Sequence, residues 1–326
     1  MNTIFLHVGP HKTGTTALQK FMLDNQANLF KQNLVYPKRY VQIFGHHKFR
    51  DNIVNREITK DDVAFFKETD NNFLLSSEDY ISLSKEDFEY FKQCFEGFEI
   101  KVIYTWRRAS LKLFSIWQEV IKHGGTIDFF QYYHEHLARP GTSQMLSPDL
   151  KVGMFSQVFG INNVSVLDYE SSVGRDTLIN DFLSLLDIKW DDSFAISEQS
   201  AESTNKSMTL ADVEIVRALN ILAKQAGILD GGNIRLAYLK HKDTLVLDSL
   251  VELIREHTVQ INVGNYFIDV RSEKVMSDKY GAHVYNYQNA VKRKEIQIAS
   301  SEWFLSSNVQ SLLNDILQNL AISDAQ

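Results

Sequence analysis

The chain has 326 residues, 44% of them hydrophobic and 23% charged, proportions of a globular protein in water and a length that buries a large core without cross-links. Its formal net charge of -7 argues against a nucleic-acid partner, since such binders carry a basic excess; the one dense basic run, Lys292-Arg293-Lys294, is short and reads as solvated surface. The lone cysteine, Cys94, excludes an internal disulfide and a thiolate zinc site, and neither a leader pattern nor an apolar run of about 18 residues occurs, so a cytoplasmic location with at most peripheral membrane contact is expected.

The first predicted element is a strand, Thr3 to Val8, a continuous apolar run ending at Gly9. Three more strands follow at Asn72 to Ser76, Ile100 to Trp106 and Val164 to Tyr169. Continuous apolar runs of this length suit central strands covered on both faces. Helical spacing appears from Ala17 to about Lys31, from Leu111 to about Lys122 and from Asp176 to Leu186. Alternation of strand and helix predicts an α/β fold with a parallel sheet between two helical layers. From about residue 200 the strand signals fade. Thr209 to Ala226, Leu245 to Val259 and Ser306 to Leu320 read as amphipathic helices, so a helical C-terminal extension is expected on one domain spanning 1–326. The break around Arg139-Pro140-Gly141-Thr142-Ser143 reads as a surface loop.

The chemistry is concentrated after the first strand. Gly9-Pro10-His11-Lys12-Thr13-Gly14-Thr15-Thr16 follows a strand and opens a helix, where backbone N–H groups and the helix dipole favour an anion. The glycines are spaced as in nucleotide triphosphatases, but Thr15 stands where that pattern has lysine, and the lysine comes earlier, at Lys12. A lysine inside the loop suits a 5′-phosphate with a transferable group beside it better than a magnesium triphosphate.

With His7 and Gly9 before it, Lys12-Thr13-Gly14-Thr15-Thr16 resembles the 5′-phosphosulfate loop of sulfotransferases, closest to bacterial members with His-x-Gly-x-x-Lys-Thr-Gly-Thr-Thr. The resemblance implies a P-loop-like fold, 3′-phosphoadenosine 5′-phosphosulfate as co-substrate and no metal. The loop residues His11, Lys12, Thr13, Gly14, Thr15 and Thr16 would bind that co-substrate. The family also holds the 3′-phosphate with an arginine at a strand end and a serine eight residues on. Arg107 and Ser115 match that spacing, with Arg108 in reserve. Val164 to Glu170 with Phe182-Leu183, and Asn205-Lys206-Ser207, are weaker matches. The Gly-rich basic motif near the C-terminus of cytosolic animal members is missing, and Lys292-Arg293-Lys294 is a partial substitute.

Sulfuryl transfer needs a base for the acceptor hydroxyl and charge to stabilise the leaving phosphate. Lys12 suits the second task. For the base the first candidate is Glu78, after the strand ending at Ser76, where ligands of open parallel sheets sit. Its competing reading is a first-turn residue behind a Ser76 or Ser77 cap. His47, His46 and His11 are the other candidates. The expected acceptor is a small molecule or glycan, with a carbohydrate or glycoconjugate hydroxyl favoured. A P-loop kinase or NTPase, and a non-catalytic nucleotide-binding protein of the same fold, are the competing functions.

Overall fold

The computed structural model describes residues 2–139, 146–196, 208–227, 231–245, 247–262, 267–285 and 295–324. The loop at 140–145, Asn205-Lys206-Ser207 and Lys292-Arg293-Lys294 lie outside them. The chain forms two compact units: Met1–Ala109, Ser147–Asn205 and Val270–Lys292 make the first, and Ser110–Leu146, Lys206–Asp269 and Arg293–Gln326 the second.

The strands in chain order are β1 (Thr3–His7), β2 (Leu34–Val35), β3 (Asn72–Ser76), β4 (Glu99–Trp106), β5 (Val164–Asp168), β6 (Thr258–Asn262), β7 (Val284–Tyr285) and β8 (Glu295–Ala299). The first unit is built on a six-stranded sheet in the order β2-β3-β1-β4-β5-β7, parallel throughout. The four strands expected from apolar runs are its four central strands. Successive side chains point to opposite faces. Ile4, Leu6, Leu75, Val102 and Val166 pack on one face against Phe49, Phe88, Phe91 and Phe155. Phe5, Leu74, Ile103 and Leu167 pack on the other against Leu18, Phe21, Phe182 and Leu183. Helices therefore cover both faces, which is the expected three-layer α/β arrangement.

After β1 the chain turns toward β2 and β3, whereas β4 leads to β5 and β7. Open α/β sheets bind ligands at such a reversal, beyond the carboxyl ends of the strands. The loop 9–16 and Arg107 lie there, at the ends of β1 and β4.

In the second unit the helix Leu210–Gln225 is capped by a reciprocal Thr209–Asp212 pair and carries the buried ion pair of Glu214 with Arg217. Trp303 Nε1 donates to the same Glu214 carboxylate. This unit also holds an antiparallel pair, β6 with β8, where only helices were expected. β7 is a further departure, since it adds an edge to the main sheet. Two-residue strands such as β2 and β7 carry no periodicity to read. Among the described residues no helix is long and apolar enough to cross a membrane.

Candidate functional site

β1 stops at His7, and the chain turns through Gly9 (φ 74°) and Gly14 (φ 75°) into the helix Thr15–Asp24, here α1. Both angles lie in the left-handed region that glycine tolerates. Gly9 is also sterically required, since a Cβ there would come 2.8 Å from the Glu78 Cα, whereas one on Gly14 would come 2.6 Å from Leu178 Cδ2, the movable end of a side chain. Lys12, with φ 65°, is a left-handed residue without that excuse. Thr13 is buried, and its hydroxyl donates to the Pro10 carbonyl at 2.5 Å, so it braces the loop from inside. Thr15 is buried and Thr16 half-buried in the first turn of α1.

The start of α1 has no side-chain cap and no acidic residue in its first turn. The first N–H groups of a helix have no partner within it, and here Gly14 offers none. Elsewhere in the unit Thr59 with Asp62, and Ser84 with Asp87, form reciprocal caps, whereas the helices His47–Val54 and Leu178–Leu185 also start without a side-chain cap.

β4 delivers two arginines with different fates. Arg108 is buried and bidentate to Asp168, with a short Nη1–Oδ1 bond and Nη2–Oδ2 at 3.0 Å. It also reaches Glu170 and Glu273, each at 3.2 Å. These carboxylates offset the desolvation of the guanidinium and push its pKa upward. The reserve candidate is thus committed to internal ion pairs. Arg107 points to the loop instead. Its Nη1 donates to the Lys12 carbonyl at 2.5 Å, and its guanidinium lies 5.1 Å from the Tyr169 ring centroid. Its Nε faces Glu170 Oε1 at 3.4 Å, yet both atoms are buried without a hydrogen-bond partner. Burial raises the Glu170 pKa, against the pull of both arginines.

The end of β3 supplies a third group. Ser77 caps the 3₁₀ turn Glu78–Ser82 by accepting from Asp79 N–H. Glu78 is thus a first-turn residue, and it also stands beside the loop. Its Oε2 accepts from Gln19 Nε2 of α1 at 2.9 Å and lies 4.0 Å from His47 Nε2, while its Oε1 lies 4.0 Å from His11 Nδ1. Asp79 takes the other side of both histidines, with His47 Nδ1 at 2.7 Å and His11 Nε2 at 3.4 Å.

Two other histidines have structural roles. His46 Nδ1 accepts from Ser76 N–H at 3.0 Å, so Nε2 carries the hydrogen and donates to the Pro37 carbonyl at 2.8 Å. Burial lowers its pKa to about 4. His7 joins Ser76 Oγ at 2.8 Å and Thr105 Oγ1 at 3.3 Å, and burial lowers its pKa to about 3. Both rings are neutral struts.

The fold therefore brings Lys12 and Arg107 together, and brings Glu78, His47 and His11 together beside the same loop. Ser115 lies half-buried on the helix Ala109–Lys122, in the second unit. Sequence reasoning gave no role to Gln19 or Asp79, and none to Glu170 beyond its place in a weaker match. Glu170 stands two residues past the strand β5, as Glu78 does past β3. Nothing local marked Gln19. Among the described residues no group of three or more His, Cys, Asp or Glu side chains is arranged to hold a metal ion.

No protein-family model and no curated protein matches this chain. Among solved structures, the chain is similar to a sulfotransferase from Alicyclobacillus acidocaldarius, with a TM-score of 0.38 and 16% identity over 69% of this chain and 94% of that one.

Proposed function

We propose that this chain is a sulfotransferase that moves a sulfuryl group from 3′-phosphoadenosine 5′-phosphosulfate to a hydroxyl of a carbohydrate or glycoconjugate. The observation that carries the reading is the uncapped start of α1, framed by two glycines at positive φ and joined through Lys12 to Arg107. An open helix N-terminus entered through a glycine turn fits a phosphate group. The lysine position within the loop, and the matching threonines after it, favour a phosphosulfate over a triphosphate.

In this reading the N–H groups of residues 13–16 and the Lys12 ammonium stabilise the charge that grows on the departing phosphate. Preorganised donors of this kind supply the largest catalytic contribution in many enzymes. Arg107 is the phosphate-facing arginine, because Arg108 is consumed by Asp168, Glu170 and Glu273. Among the described residues only Nη1 of the Arg107 fork makes a hydrogen bond, and a guanidinium can give two charge-assisted bonds to one phosphate. Glu78 and His47 are the groups beside the loop that can receive the acceptor's proton. The Glu78 carboxylate beside the loop is the support for a carbohydrate hydroxyl as acceptor.

The test is a thermal-shift titration with 3′-phosphoadenosine 5′-phosphate in the absence of magnesium. A ligand that binds only the folded state at a hundred times its Kd adds about 2.7 kcal/mol, so a clear rise in Tm is expected. No shift at millimolar ligand sinks the reading. The variant Lys12→Ala is expected to keep its far-UV circular dichroism and lose transfer of radiolabelled sulfate to a pooled glycan acceptor mixture.

A further inference from the structure

Three features surround His47. Its Nδ1 lies 2.7 Å from Asp79 Oδ2. Its Nε2 lies 4.0 Å from Glu78 Oε2. Gly45 sits over the same Nε2, where a Cβ would come within 2.9 Å. The ring is held on one side by a carboxylate, and a side chain at residue 45 would crowd its Nε2.

An ionised carboxylate accepts hydrogen bonds and cannot donate them. The nitrogen 2.7 Å from Asp79 therefore carries the ring hydrogen, and neutral His47 presents a bare Nε2. Ser77 Oγ, 2.9 Å from the same Nδ1, already accepts Asp79 N–H and does not change that assignment while the carboxylate is present. Glu78 is in a different position: its Oε2 is already engaged by the Gln19 amide at 2.9 Å, whereas among the described residues no donor bonds His47 Nε2.

We infer that Asp79 is a positioning residue that fixes His47 with Nε2 unprotonated, so that His47 takes the acceptor's proton and Glu78 stabilises the imidazolium that results. This rests on the sulfuryl-transfer reading. The groups facing the ring are Asp79 and Glu78 from the turn after β3, and His46 is its neighbour in sequence. His11 from the loop faces the same two carboxylates. Gln19 from α1 is uncharged. In the step, the acceptor O–H bond breaks and its proton goes to Nε2. The oxygen's electron pair forms the bond to sulfur as the bond from sulfur to the bridging phosphate oxygen breaks. That electron pair leaves on the phosphate, beside Lys12.

The test uses full-length protein labelled with ¹⁵N-histidine, with the His47 signals assigned by their loss in His47→Asn. Long-range ¹H–¹⁵N correlation near neutral pH distinguishes the two tautomers. The wild type is expected to show Nδ1–H with bare Nε2. Asp79→Ala leaves Ser77 Oγ as the only partner of Nδ1, now as a donor, and is expected to switch the ring to Nε2–H. Asp79→Glu is expected to restore the wild-type form. The Tm rise with 3′-phosphoadenosine 5′-phosphate is expected to be the same in all three proteins. An Nε2–H ring in the wild type, or a tautomer unchanged by Asp79→Ala, overturns the inference while the ligand shift stands. Loss of the ligand shift in Asp79→Ala alone also overturns it, because Asp79 would then act on the loop and not through His47. Absence of any ligand shift in the wild type instead removes the sulfuryl-transfer reading, and the inference with it, whatever the tautomer.

Discussion

Gly9 meets two constraints at once. Its φ of 74° is unfavourable for an L-residue, by about 1–2 kcal/mol, and any side chain would strike the Glu78 backbone at 2.8 Å. Gly9→Ala is therefore expected to lower stability by more than the conformational cost alone and to abolish the Tm rise with 3′-phosphoadenosine 5′-phosphate. Urea unfolding and the same titration check both. Glu78→Gln keeps the shape of the side chain and removes its charge. It is expected to lower the transfer rate at least tenfold with little change in ligand shift, and an unchanged rate would remove the carboxylate from the reaction. Lys12, Gly9 and Gly14 were legible because one contiguous stretch carries them. Asp79 and Gln19 were not, since their roles exist only once β3 lies beside β1 and α1 packs over both. His46 and His47 look alike in sequence, and only the partners of their ring nitrogens tell them apart.

The strands are tied at their carboxyl ends by buried polar joints, and these have measurable consequences. His7 links β1 to Ser76 of β3 and Thr105 of β4, and His46 holds its segment to β3. Both are neutral in the folded protein, with pKa values lowered to about 3 and about 4 by burial. The unfolded chain binds those protons from pH ~6.5 downward. The folded state does not, so stability falls as pH drops below about 6.5 toward 4. Each histidine contributes a slope approaching ~1.4 kcal/mol per pH unit. Urea midpoints at pH 7 and pH 5 should show this loss, and it should be smaller in His7→Asn. The joint between β4 and β5 is ionic. Arg108→Met would leave Asp168 buried without its cation and Glu170 with Arg107 alone, at a cost of about 3–5 kcal/mol, read from the urea midpoint. Four strands were legible from their continuous apolar runs, because burial on both faces needs such runs. The break at Asn25 between α1 and the helix Gln26–Lys31 was not, since the apolar spacing continues across it.

The two units interleave along the chain. Residues after about 200 read as one helical extension because their apolar spacing is helical, yet Val270–Lys292 belongs to the first unit. That segment supplies β7, which pairs with β5 through Val166–Val284 and Leu167–Tyr285. It also supplies Met276 to the core and Glu273 to Arg108. A chain ending at Asn205 would contain every candidate residue of the loop and of the β3 and β4 ends, but not these contacts. It is expected to melt well below the full chain, as followed by circular dichroism. An equal Tm would mean that the first unit is complete without its third segment. The same connectivity sets an order of events during synthesis. Once Val164–Asp168 has left the ribosome, the outer edge of β5 stays unpaired until Val284 and Tyr285 emerge. At the usual rate of elongation that interval is on the order of ten seconds. Through it the nascent chain carries an open strand edge, the kind of surface that invites pairing with a neighbouring chain, and the yield of this protein should depend on how well that edge is shielded until Val284 and Tyr285 arrive.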